Sequence, residues 1–497
     1  MLNIRIIYIC CLILTFASCK MKDEITCYGG SDSDLVQLLE KEGYTLKFYP
    51  SVSEALQNAP EKSGVLLLSD SYPVEGTSIS QEDESLIEAK SLRVLVEFPQ
   101  RIGTTDSSKS DTLNLERIVV CDSINTELPF MSLLSFNRCI LKETSDSINH
   151  PILVAAKVAG FDKAVYGLKD TETRPVLYYR TPHLLVSTTC ISHFASDRYM
   201  PEQKIKSLYE YIFRWLLGKN TVTFSSWITY ITPSYTPSDV LPENAGYESI
   251  KKGIEWFYNG HFLVNSEWKQ NWVDKYMGDG TMPIGPSIPD QFQNGDGSLG
   301  VLEGHMSEIR YDGSQLYRYW MRADVQGEAS YAFAAAGDLL ENNEYSKVAT
   351  NLIDYSFKEY RDSVRNDPAS PSYGLLGWAY THKGTYYGDD NARFLLGVIA
   401  SSALLNDTAW DKKIVEGIIG NFRTTGINGF RGGSLLDTDI QKRGWKSFYD
   451  NNTVNLHAHF EAWNWACYLW LYNQTQYEPL LERSKKALSM MMASYPE

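Results

Sequence analysis

The chain has 497 residues, 43% hydrophobic and 13% aromatic, enough apolar material for two or three domains with sizeable cores. A formal net charge of -15 excludes nucleic acid as a natural partner, because a phosphate backbone repels an acidic surface. None of the eight cysteines is spaced as CxxC, so neither a disulfide framework nor a zinc site is indicated.

The first element is a targeting segment. Arg5 supplies a positive start, Ile6–Phe16 is a short apolar run, and Thr15-Phe16-Ala17-Ser18 leads into Cys19. The pattern resembles the bacterial lipobox, which implies a signal peptide over 1–18 and a diacylated Cys19 anchoring the protein without a spanning helix. Lys20-Met21-Lys22-Asp23-Glu24 follows as a tether over 19–24 and resembles the surface-export signal of Bacteroidetes lipoproteins. That implies an outer membrane lipoprotein exposed at the cell surface, with a periplasm-facing one as the alternative. No later stretch reaches the ~18 apolar residues of a membrane span.

Residues 25–218 alternate short apolar runs with helical patterns. Thr45–Tyr49, Gly64–Leu68, Ser91–Phe98, Leu177–Tyr179 and Leu184–Ser187 predict strands, and Asp34–Glu42, Gln81–Lys90 and Ile205–Leu217 predict helices. The alternation predicts an α/β domain with a mainly parallel sheet. Its layout resembles the flavodoxin-like glutamine-amidotransferase fold. In that fold a cysteine follows a central strand; here Val96-Glu97-Phe98-Pro99 stands there, so a degenerate, non-catalytic accessory domain is expected.

A linker is expected over 219–243 and an all-α domain over 244–497. Eleven of the twelve tryptophans lie beyond residue 220. Glu328–Leu340, Asn391–Leu405 and His457–Tyr472 are apolar nearly all round, and each is followed by an amphipathic segment: Glu344–Tyr360, Trp410–Phe422 and Tyr477–Met492. A helix apolar on every side must be buried, whereas an amphipathic one faces water. The contrast predicts an (α/α) barrel or toroid, with parallel inner helices and an outer ring running back. Tyr247–Phe262 predicts an earlier helix of the same ring.

Parallel inner helices place their starts on one rim. The stretch Gln291–Glu328 precedes the first and carries Glu303, His305, Trp320, Arg322, Asp324 and Glu328. Tyr387, Asp389, Asp390, Asn391 and Arg393 lie at the second start, and His457, His459 and Glu461 at the third. Helix capping explains one acidic residue per start but not the arginines and histidines beside them. Carboxylates, cations and aromatics gathered in this way are the components of a carbohydrate site.

GHMSE, DGSQ, RADVQGE, YGDDNAR and the HxHFEAW run together resemble the six-hairpin glycosidases, over residues 244–497. These include the unsaturated glucuronyl hydrolases and the Bacteroidetes exo-β-glucuronidases of glycoside hydrolase family 154. The resemblance implies exo-hydrolysis of β-linked glucuronic acid or a related uronic acid terminus of an acidic polysaccharide, with no cofactor. Only three clear hairpins are visible, fewer than six, and Met277–Gly300 could hide short helices.

Glycoside hydrolysis needs a carboxylic acid and a second carboxylate. Asp390, or Asp389, at a helix N-terminus is the expected base, since the dipole there favours the ionised form. Asp324, Glu328 and Glu303 are the candidates for the acid. Arg322 and Arg393 can grip a uronate bidentately, with His305 as a neutral-pH partner. His457 and His459, two apart on a helix, split between faces, so no metal site is expected. Two alternatives stay open: a polysaccharide lyase using Tyr386 or Tyr387 with His305, and a non-catalytic glycan-binding lipoprotein.

Overall fold

The computed structural model describes residues 24–495 apart from 108, 145–147 and 237. The signal peptide, Cys19 and the export segment up to Asp23 lie outside the described residues. Two compact units are present. One holds the described residues up to Thr236 together with Ser307–Gln315, and the other holds the rest. Among the described residues no helix is long and apolar enough to cross a membrane.

The first unit is built on a nine-stranded sheet of β1 (Glu24–Tyr28), β2 (Thr45–Phe48), β3 (Gly64–Leu67), β4 (Arg93–Glu97), β5 (Arg117–Val120), β6 (Leu133–Leu134), β7 (Leu153–Ala156), β8 (Thr173–Thr181) and β9 (Leu184–Ser187). The strand order is β6-β5-β7-β8-β9-β4-β3-β1-β2. The five from β9 to β2 pair in parallel, and β8, β7, β5 and β6 extend the sheet antiparallel. The sheet is therefore mixed, where alternation alone predicts a mainly parallel one. The runs GVLL and RVLVE are nearly continuous in apolar residues because both faces are covered. Leu66 and Leu95 point into one core, with α1 (Asp34–Lys41) and α4 (Glu202–Leu217). Val65, Leu67, Val94 and Val96 point into the other, with α2 (Val52–Asn58) and α3 (Gln81–Ala89).

Beyond β4 the chain turns through Phe98, whose φ of 46° is left-handed and strained for a bulky residue. The preceding Glu97 is fully buried. It accepts the backbone N–H groups of Ser69, Ile191 and Ser192 and the Ser192 hydroxyl. That carboxylate ties the loops after β3 and β9 to the end of β4. The chain also stays with this unit past the boundary expected at 218, because Phe224 is buried in its core and Trp227 packs beside it.

In the second unit α5 (Ala245–Asn259) precedes three hairpins: α6 (Ala323–Leu339) with α7 (Asn343–Glu359), α8 (Gly388–Leu405) with α9 (Asp411–Arg423), and α10 (Ala458–Thr475) with α11 (Glu478–Ser494). Helices α6 and α8 run parallel, since Gly327 lies against Phe394 and Gly397 while Ser330 meets Ser401 further on. α10 lies parallel on the other side of α8, with Asn464 beside Gly388 and Cys467 donating to the Ala392 carbonyl. α9 runs back along α8, where Asn421 meets Asn391 and Gly417 meets Leu395. Among the described residues this makes three hairpins side by side, half the number in a six-hairpin ring. Residues 278–300 carry one short strand, Ile284–Gly285, and no helix.

Candidate active site at three helix starts

The three inner helices each bury one carboxylate in the first turn: Asp324 in α6, Asp390 in α8 and Glu461 in α10. The relative exposures are 0%, 4% and 0%, so these are not solvated caps. Arg322 occupies the N-cap position of α6 without capping it by a side-chain hydrogen bond. Its guanidinium lies 2.9 Å from Glu303, 3.4 Å from Asp324 and 3.5 Å from Asp390. Arg318 meets Glu303 at 2.6 Å and lies over the Trp320 ring. From the α8 side, Arg393 reaches Asp324 at 2.9 Å and holds Glu328 with two nitrogens at 2.7 and 2.9 Å.

Arg322 brings Asp324 and Asp390 close together, lying 3.4 and 3.5 Å from the two carboxyls. Two ionised carboxylates would repel at that range, so one of them keeps a proton. Burial comes first in holding the Asp390 carboxyl up, to about 8, followed by the charges of Asp324 and Asp389; Arg322 opposes them. The expectation that the α8 dipole keeps Asp390 ionised is therefore reversed. A helix N-terminus contributes up to about 2 kcal/mol in partly buried positions, too little against burial beside two like charges.

At the third start Glu461 accepts the backbone N–H groups of Arg431 and Gly432 at 2.9 and 2.8 Å and the Asn455 amide at 2.9 Å. Burial raises its pKa, and those donors offset part of the rise. Arg431 is itself buried, and donates from Nε to the Thr424 hydroxyl and from Nη1 to the Tyr386 carbonyl. Arg431 and Arg318 were not among the residues singled out in the sequence. Neither stands at a helix start, and only the fold brings them to the carboxylates.

The remaining candidates divide. Glu303, Arg322, Asp324, Glu328, Asp390 and Arg393 form one ion-pair network. Asp389 sits beside it with Oδ1 buried and unpartnered. Trp320 and Tyr387 both pack edge-on against Trp378, with centroids 5.0 and 4.9 Å away. His305 lies among Trp256, Phe262 and Tyr317. Asn391 is a strut: its amide exchanges two bonds with the Leu376 backbone and has no open edge toward a ligand. His457 and His459 are exposed at the start of α10, 6.4 Å apart. Tyr386, the proton mover of a lyase reading, is fully buried, donates to Asp437 and accepts from Arg365. Burial pushes its pKa up to about 12, which disfavours that role. Glu308 and Asp312, from the same sequence stretch, belong to the first unit, where Glu308 pairs with Arg138. Among the described residues no group of three or more His, Cys, Asp or Glu is arranged to hold a metal ion.

No protein-family model matches the chain, and no curated protein does. Among solved structures, a novel alpha-amylase from Clostridium perfringens is similar over 39% of this chain and 48% of its own, at 12% identity and a TM-score of 0.27. The match thus spans about half of that chain, and a likeness so coarse fixes neither fold nor activity.

Proposed function

We propose that the second unit is a glycoside hydrolase that removes β-linked glucuronic acid, or a related uronic acid, from the ends of acidic glycans. In this reading the three hairpins are part of an (α/α) barrel of the six-hairpin, family 154-like kind. The first unit is a degenerate flavodoxin-like accessory domain. The whole is a lipoprotein held by Cys19 at the outer membrane surface. The observation that carries the reading is the Asp390 carboxyl, buried at the start of α8 and joined to Asp324 through Arg322, where burial and the charges of Asp324 and Asp389 push its pKa up to about 8.

Such a group is what a leaving glycosidic oxygen requires: a carboxylic acid still holding its proton at neutral pH. Asp324 is the partner that keeps that proton in place. It is fully buried and paired with Arg322 and Arg393, which leaves it no face toward a substrate as the second catalytic carboxylate. The acidic substrate is supported by the cations gathered here. Arg322 and Arg393 are committed to the carboxylates, whereas Arg318, 35% exposed along its side chain, faces Glu303 through Nε and leaves its terminal nitrogens for a substrate carboxylate.

The test is hydrolysis of 4-nitrophenyl β-D-glucuronide by the full chain in detergent, beside the matching glucoside. Nitrophenol from the glucuronide that Asp390→Asn abolishes is expected. A product absorbing in the ultraviolet from a polymeric uronan, with no hydrolysis, would mean a lyase instead.

A further inference from the structure

Four buried polar atoms without a partner belong to three residues at the start of α8: Arg431 Nη2 and both ends of the Asn464 amide, from side chains that lie against Gly388, and Oδ1 of Asp389, the next residue. A Cβ on Gly388 would stand 2.7 Å from Asn464 Nδ2 and 3.0 Å from Arg431 Nη1, so only a glycine leaves these side chains their space. Asn464 is 1% exposed and Arg431 4%. Neither is loose: Arg431 is fixed through its other nitrogens by Thr424 and Tyr386, and its backbone by Glu461. The unpartnered set comprises two donors and two acceptors. That is the complement of one water molecule, which donates twice and accepts twice.

Resting on the glycosidase reading, we propose that these groups hold the water consumed in hydrolysis, and that Asp389 is the base that takes its proton. Arg431 and Asn464 are positioning residues that orient the water. Consecutive helical residues diverge by about 100°, so the Asp389 and Asp390 side chains leave one helix start in different directions, as an acid and a base on opposite faces of a sugar require. Asp390 gives its proton to the glycosidic oxygen as the C1–O bond breaks. The water oxygen bonds to C1 from the opposite face, and its proton passes to Asp389. One water is consumed, the anomeric configuration inverts, and the two carboxyls recover their starting protonation by exchange with solvent.

The experiment is proton NMR of the full chain turning over 4-nitrophenyl β-D-glucuronide, asking which glucuronic acid anomer appears first. The α-anomer is expected. The β-anomer first would mean retention and would overturn the water site while leaving the glycosidase reading intact. No hydrolysis at all would remove both. Asp389→Ala with sodium azide supplies the second arm. A nucleophile that needs no base should restore turnover by at least roughly tenfold, and give the α-glucuronyl azide. Folded Asp389→Ala with wild-type turnover would overturn the assignment. Asn464→Leu should lower kcat by roughly 10²-fold with KM within about twofold, and an equal fall in both Asn464→Leu and Asn464→Asp through KM alone would reject the positioning role.

Discussion

Asp324 and Asp390 share Arg322 across the starts of two parallel helices, 3.4 and 3.5 Å from its guanidinium, and Arg393 holds Asp324 at 2.9 Å. Burial first, and then the charges of Asp324 and Asp389, set the acidity of the site. As the charge on Asp324 helps hold the Asp390 proton, Asp324→Asn lowers the Asp390 pKa. A general acid works only while protonated, so activity falls as pH rises through that pKa, about 8 in the native protein. The alkaline limb of kcat against pH should move to lower pH in Asp324→Asn. Asp390→Asn should lose about 10²–10⁴-fold in kcat across the range. An unmoved limb would disconnect the pair from catalysis.

The same proton links stability to pH. The folded pKa of Asp390 is raised, so its protonation contributes stability that is fully present below the unfolded value of about 3.9 and lost as pH rises through about 8. Asp390→Asn stays neutral throughout. Its Tm should therefore exceed that of the native chain by a margin that grows from pH 4 to pH 8. Differential scanning calorimetry at those two values checks the sign.

Glu461 carries the third helix start. Removing its side chain in Glu461→Ala leaves two backbone N–H groups and the Asn455 amide without an acceptor, next to the buried Arg431. The expected cost is roughly 3–5 kcal/mol in urea unfolding. Glu461→Gln keeps one oxygen and should cost less than half of that.

Gly397 fits against the Gly327 carbonyl, where an added Cβ would stand 2.3 Å away. Gly397→Ala must push α6 and α8 apart, at about 1–3 kcal/mol. The same displacement should shift the alkaline limb of activity toward lower pH, in the direction of Asp324→Asn. A loss of Tm with no change in the pH profile would show that the helix spacing and the acid pair are independent.

The helix pairs were legible in the sequence because burial leaves its mark on composition. α8 is apolar all round between Phe394 and Leu405, and α9 shows one stripe through Ile414, Ile418 and Phe422. The start of α6 was placed five residues late, at Glu328, because Asp324 and Gln326 read as polar loop. In the structure both are completely buried, and Gln326 exchanges two hydrogen bonds with the Val301 backbone. The rim residues were also visible, but their protonation was not. A dipole belongs to one helix and can be read locally, whereas the Asp390 pKa is raised first by burial, which only the fold creates, and then by Asp324, 66 positions away, with the neighbouring Asp389. Arg431 and Glu461 meet over a loop of 30 residues for the same reason. Of the antiparallel strands, β8 shows in the sequence as Leu177–Tyr179, whereas Leu133–Leu134 and Leu153–Ala156 are too short to show a period.

Gly327 lies three residues beyond Asp324, and Gly397 seven beyond Asp390. Neither has a side chain, yet the gap they leave fixes how near the two carboxyls come and so how firmly the proton is held. The acid strength of this site is thus written partly in hydrogen atoms one and two turns along α6 and α8 from the carboxyls. A single methyl group there would retune the chemistry without touching a polar atom.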